Sequence, residues 1–474
     1  MAKKNPHLNP ETFRDALATV KEDGKRNWVY PKKVSGLFYK YRTYLSWVLL
    51  TILFAGPFIQ IDGRPWLLFN IFERKFIIFG AVFWPQDTHL LIFLLLILFV
   101  FIILFTVVFG RVWCGWACPQ TLFMEMVFRK IEYLIEGDAN QQRALNEQSW
   151  GDGEKILKKG GKLIIFAIIS LLIGHLVMAY LIGIDEVKEI VSNPPKENLS
   201  GFIGLIAFSG IFMFVFSWFR EQACLVVCPY GRLQGVLLDN NSINVMYDYV
   251  RGEPRAPLRK NSEENQGKGD CVDCSLCVQV CPTGIDIRNG IQMECVNCTA
   301  CIDACDEVML KVDRPKGLIR YASENSIQEG FQKLLTGRVK AYIGVLLILL
   351  VAFISLIVTR DDLQGTVTRF PGMTYQSRDD GKISNLYQIT LINKTFEPQK
   401  VSLVPLADGM ELEIIGEKEW ILEPQTRFEG RFFLLRDKDK VSIAQEKVKV
   451  ALFHNQEEID QISTSFMAPM SPKP

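Results

Sequence analysis

Twelve cysteines constrain this chain more than any other feature, because all of them lie between Cys114 and Cys305 and fall into four ordered groups. Two groups are runs of the form C-x2-C-x2-C-x3-C: Cys271, Cys274, Cys277 and Cys281, then, after a short connection, Cys295, Cys298, Cys301 and Cys305. This is the bacterial spacing for [4Fe–4S] cubanes, in which three close thiolates wrap one cluster and the fourth ligates the other. On that reading Cys271, Cys274, Cys277 and Cys305 hold one cluster, and Cys281, Cys295, Cys298 and Cys301 hold the second. Zinc takes four ligands in two separated pairs, which two runs of four fit poorly. Disulfides are disfavoured in a reducing compartment. The first run closes on Cys281-Pro282 and the second on Cys305-Asp306. Proline is no ligand, so ligation is unaffected, and Asp306 brings negative charge that works to lower a cluster's potential.

The other two groups are pairs of the form C-x3-C-P: Cys114 and Cys118 before Pro119, and Cys224 and Cys228 before Pro229. Each follows an apolar run, so the two halves read as an internal duplication. If the helices continue, the i, i+4 spacing puts both sulfurs of a pair on one face. Proline suits the first position of a new helix, which would leave Cys118 and Cys228 at helix N-termini, where thiolate is favoured. Four such thiols suit a soft metal or redox chemistry, Cu(I) among the options. Met124 and Met126 are possible thioether ligands, though methionines beside a membrane helix more often pack. Buried apolar cysteine is the bland alternative, and the repetition with a shared proline argues against it.

Hydrophobic residues are 49% of the 474 and charged residues 22%, but the two kinds are segregated. Five apolar stretches, near 43–61, 89–110, 162–184, 200–219 and 340–359, have the length of a membrane-spanning helix. Residues 1–42 hold ten Lys/Arg, 62–88 three, 111–161 seven and 185–199 two. Positive charge marks the cytoplasmic side, so the N-terminus and every cysteine are expected there and residues 361–474 outside. The N-terminal stretch ahead of the first apolar run is polar and basic, unlike a cleavable leader. A net charge of +1 gives no electrostatic case for nucleic acid.

His7, His89, His175 and His454 are the four histidines, and no two sit at matching depth for a bis-histidine haem. His175, mid-membrane, is a functional candidate by its position, with a quinone contact left open. Residues 10–26 read as a short amphipathic helix, ahead of Trp28, Tyr30, Pro31, Lys32 and Lys33 at the interface. Residues 364–474 alternate apolar and polar, as in Leu386–Leu391 and Val448–Leu452, the pattern of a β-sandwich with no metal constellation.

The chain resembles the cytochrome c oxidase accessory family CcoG, also called FixG or RdxA. The resemblance is carried by Trp28-Val-Tyr-Pro31, by Arg74-Lys75-Phe76 to Phe83-Trp84-Pro85-Gln86-Asp87, by both C-x3-C-P pairs, and by the cluster runs with Cys305-Asp306-Glu-Val-Met309. It implies a multi-domain α+β membrane protein: a five-helix transmembrane bundle, a cytoplasmic bacterial-ferredoxin-like 2[4Fe–4S] domain and a C-terminal immunoglobulin-like β-sandwich. The expected segments are 1–42 (cytoplasmic), 43–235 (four-span core), 236–338 (ferredoxin-like), 339–360 (fifth span) and 361–474 (periplasmic). It also implies an inner-membrane oxidoreductase that reduces Cu(II) to Cu(I) for assembly of cbb3-type cytochrome c oxidase, with Cys114, Cys118, Cys224 and Cys228 binding copper. Its expected partners are the membrane, copper ions, that oxidase with its copper-delivery factors, and an electron donor the sequence does not name; a homo-oligomer stays open. Two other functions compete. A quinol dehydrogenase-type membrane ferredoxin shares the four spans and the cysteines but lacks the outer sandwich, and a non-catalytic assembly scaffold has little use for two clusters.

Overall fold

The computed structural model describes residues 18–20, 23, 25–61, 63–72, 75–83, 87–258, 267–359, 363–395, 397–416, 419–424, 426–441, 444–454 and 457–469. The chain divides into two compact units, Met1–Phe353 and Ile354–Pro474. The expected amphipathic helix over 10–26 lies largely outside the described residues. Where it is described, a turn and a bridge between Val20 and Arg26 stand in its place. Glu73, Arg74, Trp84, Pro85 and Gln86, with His7, also lie outside the described residues.

The first helix, α1 (Leu37–Ala55), begins ahead of the expected span. Its N-terminal amides are capped from far away in sequence: Phe38 N–H and Tyr39 N–H donate to the Asp303 carboxylate at 3.1 and 2.7 Å. An acceptor at a helix N-terminus satisfies orphan donors and is worth about 1 kcal/mol. Gly56-Pro57 then ends the helix in a short 3-10 turn. Strands β1 (Gln60–Ile61) and β2 (Arg64–Pro65) pair, and β3 (Leu67–Asn70), β4 (Lys75–Ile78) and β5 (Ala81–Phe83) form an antiparallel meander around Leu68, Ile77 and Val82.

Helix α2 (Thr88–Phe109) is followed by α3 (Val112–Trp116), α4 (Pro119–Leu122), a π-helical turn at Phe123–Phe128 and α5 (Arg129–Ile135). Next come α6 (Ala139–Glu147), α7 (Gly153–Ile182), α8 (Ile184–Ser192) and α9 (Leu199–Phe214), which a π-helical segment extends to Phe219. After a second π-helical turn at Ala223–Val227, α10 (Pro229–Leu237) leads into β6 (Asn244–Tyr247) and α11 (Tyr249–Gly252). The first unit closes with α12 (Leu276–Gln279), α13 (Ala300–Lys311), β7 (Ile319–Ala322) and α14 (Glu324–Glu329), with β6 and β7 pairing antiparallel. Helix α15 (Gly337–Val358) runs on to the second unit.

Among the described residues four helices are long and apolar enough to cross a membrane: Thr88–Phe109, Gly153–Ile182, Leu199–Phe219 and Gly337–Val358. These make the chain a membrane protein. Helix α1 is not among the four; Lys40 and Arg42 lie in its first two turns, and Arg42 is buried against the cysteine-rich region rather than solvated at a membrane surface. Between the helices, Phe128 stacks on Phe216 at 4.6 Å and meets Phe166 edge-on at 4.7 Å, with all three nearly inaccessible.

Neither α2 nor α9 runs unbroken into its cysteine pair. Each is stopped by one residue in nearly the same backbone conformation, Gly110 (φ 53°, ψ −129°) and Arg220 (φ 52°, ψ −123°). This geometry suits the first central position of a type II′ turn, which favours glycine. Gly110 stands in the same position ahead of Cys114 as Arg220 does ahead of Cys224, so the duplication read from the sequence extends to the backbone.

In the second unit, one antiparallel sheet has the order β12 (Met410–Ile414), β14 (Arg427–Asp437), β10 (Lys382–Asn393), β8 (Leu363–Arg369), with β9 (Gln376–Ser377) also on β10. The other runs β13 (Trp420–Leu422), β11 (Gln399–Pro405), β15 (Gln445–His454), β16 (Glu457–Met467). Inward residues of both sheets form one core containing Tyr387, Ile389, Phe432, Leu434, Val450 and Leu452, the sandwich arrangement expected of alternating strands.

Candidate functional site

The eight cysteines of the two runs gather into two cavities. One is lined by Cys271, Cys274, Cys277 and Cys305, together with Tyr247, Leu318 and Ile319. The other is lined by Cys281, Cys295, Cys298 and Cys301, with Val245, Ile285 and Ile287. Cys277 borders both. Each run turns in the same way: Asp273 and Ser275 flank Cys274 at φ 51° and 55°, and Asn297 and Thr299 flank Cys298 at 52° and 64°. These repeated left-handed residues fold the loop back on itself, and backbone amides of Asn297 and Ala300 reach Cys295 and Cys298. Hydrogen bonds of this kind to cluster sulfurs tune potential.

Burial pushes the thiols up: Cys277, Cys295 and Cys305 to about 12 and Cys298 to about 11. Thiols so placed are protonated at neutral pH, so a metal must displace their protons. Among the described residues no three His, Cys, Asp or Glu groups stand close enough for a single ion. A cubane instead spreads its four thiolates around a multi-iron core, and each cavity offers four sulfurs with apolar walls. The donor set therefore fits a cluster in each cavity. Cys274 is exposed, whereas Cys271, Cys277 and Cys298 are buried.

Cys118 and Cys228 are the N-caps of α4 and α10, each with proline next. The four thiols of the C-x3-C-P pairs form one electrostatic group, since Cys114 senses Cys118 and Cys228, and Cys224 senses the other three. Contacts cross between the repeats: Gln234 of α10 meets Cys114 at 3.6 Å, and Thr121 of α4 hydrogen-bonds Cys224. Burial raises Cys114 to about 11 and Cys224 to about 12. Removal from water thus works against thiolate at these two, which are the cysteines of each pair that do not cap a helix. The helical continuity assumed for the i, i+4 spacing also fails, because of the breaks at Gly110 and Arg220.

Both pairs press on the loop of the second cavity. A Cβ added at Gly115 would overlap the carbonyl oxygens of Val296 and Asn297. Cys224 shares a small cavity with Met124, Glu125, Glu221, Pro282, Thr283 and Val296; Thr283 and Val296 also line the second cysteine cavity. Met126 is buried but does not line that small cavity.

Two buried arginines, overlooked in the sequence because they count there as flanking positive charge, tie these parts together. Arg42 donates to Gly115 O at 3.0 Å and to Cys298 O at 2.8 Å. Arg111 donates to Gln234 Oε1, to Met293 O and, at 3.1 Å, to Gly231 O. Behind them lies a buried ion-pair network: Arg129 with Glu125 and Glu221, Arg220 with Glu132, and Lys162 with Glu132 and Glu136. Burial alone would raise Glu132, but Arg220, Lys162 and Arg129 outweigh it and hold the carboxyl below its ordinary value. Of the histidines, His175 lies on α7, His89 in the first turn of α2 and His454 in the sandwich.

Comparison with known proteins agrees with this arrangement. The family described as "4Fe-4S dicluster domain" matches residues 219–324, and a "4Fe-4S binding domain" matches 91–135. An "IG-like fold at C-terminal of FixG, putative oxidoreductase" matches 353–469. Protein RdxA of Cereibacter sphaeroides is 35% identical over 402 residues, 80% of this chain and 82% of RdxA. Protein RdxB of the same organism is 34% identical over 81% of this chain and 83% of its own length. Nitrogen fixation protein FixG of Rhizobium meliloti is 31% identical over 84% of this chain and 82% of its own. A membrane chain with ferredoxin-like [4Fe–4S] domains, an immunoglobulin-like C-terminal domain and relatives of this closeness belongs to the FixG/RdxA family of iron–sulfur electron-transfer proteins.

Proposed function

We propose that this chain passes electrons through two [4Fe–4S] clusters to the membrane-edge thiols, where Cu(II) is reduced to Cu(I) for assembly of a cbb3-type cytochrome c oxidase. Cys271, Cys274, Cys277 and Cys305 hold the first cluster, and Cys281, Cys295, Cys298 and Cys301 the second. The observation that carries the reading is the direct packing of both C-x3-C-P pairs on the second cavity, through Gly115 and through the small cavity at Cys224. Cys274 is exposed, so a cluster held by the first set would be the one open to a soluble electron donor. A cluster held by the second set would supply one electron to Cu(II) once Cys114, Cys118, Cys224 and Cys228 close around the ion, giving Cu(I), the state thiolates favour. Cys114 and Cys224 must shed protons to bind metal, so copper uptake weakens as pH falls.

In this reading the bundle sits in the inner membrane with α1 as a fifth span. The N-terminus and the segment 236–338 face the cytoplasm, and residues 361–474 face the periplasm. Lys/Arg segregation supports that topology, as does the absence of cysteine from the C-terminal domain.

The test is a variant with Ser at positions 114, 118, 224 and 228, purified anaerobically. Iron near eight per chain is expected, with copper binding and dithionite-driven cupric reduction at least tenfold lower. Wild-type copper affinity and reduction rate in that variant, with clusters intact, would refute the assignment.

A further inference from the structure

Away from the cysteine region, a roomy cavity lies at the far end of α7, between the end of α1 and the amphipathic α8. It measures about 350 Å3 and is walled by Phe54, Phe58, Leu172, Leu176, Val187 and Val191, with His175 and Lys188 as its ionisable groups. That volume falls within the ~300–1,000 Å3 of small-molecule sites, which are mostly apolar with a few placed polar groups. His175 is half-buried, and its Nδ1 faces Leu171 O at 2.7 Å. A carbonyl accepts only, so Nδ1 carries a proton, and in that tautomer Nε2 is left as an acceptor. Lys188 is paired with Asp185 at 2.8 Å, and Glu186 and Glu189 add two more carboxylates to the same short helix.

We propose that this cavity binds the ring head of a lipid-soluble hydroquinone. The apolar walls with two phenylalanines suit a substituted aromatic ring. An acceptor nitrogen in such a wall needs a hydroxyl donor, which a hydroquinone has and the oxidised quinone lacks. Lys188, the one charged residue at the cavity, is already paired with Asp185 on a helix of net negative charge, which disfavours the phosphate of an anionic phospholipid. His175 lies nine residues beyond Phe166 on α7, about 14 Å further along the axis at 1.5 Å per residue. Phe166 already packs at the level of Phe128, beyond the ion pairs of Glu132 and Glu136. The cavity is thus at the opposite end of the helices from the cysteines, and the proposal is of binding, with no electron step assigned.

The experiment uses the full chain in neutral phosphatidylcholine nanodiscs, photolabelled with a diazirine-tailed decylubiquinol kept reduced by dithionite. Labelling is expected within 171–192, and free decylubiquinol should displace it. His175→Phe should weaken displacement by decylubiquinol tenfold or more, and His175→Gln, which restores an acceptor, should recover most of it. Displacement by decylubiquinone, measured on oxidised protein, should change less than twofold in either variant. Val187→Trp, which fills the cavity, should abolish labelling while the cluster absorbance and dithionite-driven cupric reduction stay at wild-type level. Labelling outside 171–192, undiminished labelling of Val187→Trp, equal loss of both redox forms in His175→Phe, or better displacement by phosphatidylglycerol than by decylubiquinol would each overturn the proposal.

Discussion

Replacing Arg42 tests whether the second cysteine cavity is electrically coupled to the buried charge beside it. The Arg42 guanidinium donates to Cys298 O, and its charge favours the anionic form of Cys298. Over separations of roughly 5–10 Å, one unit charge at an effective dielectric of ~20 contributes on the order of 2 kcal/mol. For a one-electron couple ~59 mV corresponds to a tenfold change in equilibrium constant, so this converts to about 100 mV. Arg42→Met should therefore lower the potential of the second cluster by roughly that amount and leave the first cluster near its wild-type value. Arg42→Lys keeps the charge and loses the two-pronged hydrogen bonding, so its potential should move much less. The assay is an EPR-monitored redox titration of the anaerobic protein. Unshifted potentials in Arg42→Met, or equal shifts in both variants, would refute the electrostatic account.

Three other perturbations follow from the geometry. Gly115→Ala would normally favour a helix, but here its Cβ overlaps the Val296 and Asn297 carbonyls; an overpacking cost of about 1–3 kcal/mol should appear as lower thermal stability and loss of iron from the second cavity. Glu132 is held below its ordinary value in the fold, so it stabilises the native state above the unfolded carboxylate value of about 4.3 and loses that contribution as pH falls through its lower folded value. Glu132→Gln should flatten this acid limb in thermal unfolding scans and, by stranding Arg220, cost several kcal/mol at neutral pH, in the ~3–5 kcal/mol range for a broken buried pair. Tyr387 is fully buried and its hydroxyl donates to Ser465 O at 2.9 Å; Tyr387→Phe should lower the stability of residues 361–474 by about 1 kcal/mol in urea unfolding.

How much of this was legible depends on whether a feature is local in the chain. The eight run cysteines share two cavities because C-x2-C-x2-C spacing is itself the geometry of a loop around a cubane. The sandwich was legible for a similar reason: alternation at Leu386–Leu391 and Val448–Leu452 fixes which residues face inward on β10 and β15. Arg42 and Arg111 were opaque, because an arginine at the end of an apolar run carries the same letter whether solvated or buried as a clamp. Helix α1 starts earlier than its apolar run because its cap, Asp303, is 265 residues from Phe38. The meander of β3, β4 and β5 consists of strands of three or four residues, too short for a period to show.

The repeat itself explains why the four thiols come within electrostatic reach of one another. At Gly110 the backbone conformation and the space both demand glycine, since a Cβ there would overlap Ile243 O and the Asn244 side chain. Arg220 takes the same conformation without glycine's freedom, at a cost of order 1–3 kcal/mol for a non-glycine residue so placed. What holds it is its own side chain, buried on Glu132 beside Lys162. One repeat thus achieves the break by removing a side chain and the other by anchoring one. In both, the helix stops one turn before the first cysteine, and a proline restarts it directly after the second. Two chain segments that would otherwise leave the bundle are turned across its end, and cross-contacts through Gln234 and Thr121 place each pair within electrostatic reach of the other. The ion-pair network around Arg220 therefore does more than hold helices together: it fixes the backbone turn that delivers Cys224 to the small cavity beside the second cysteine cavity.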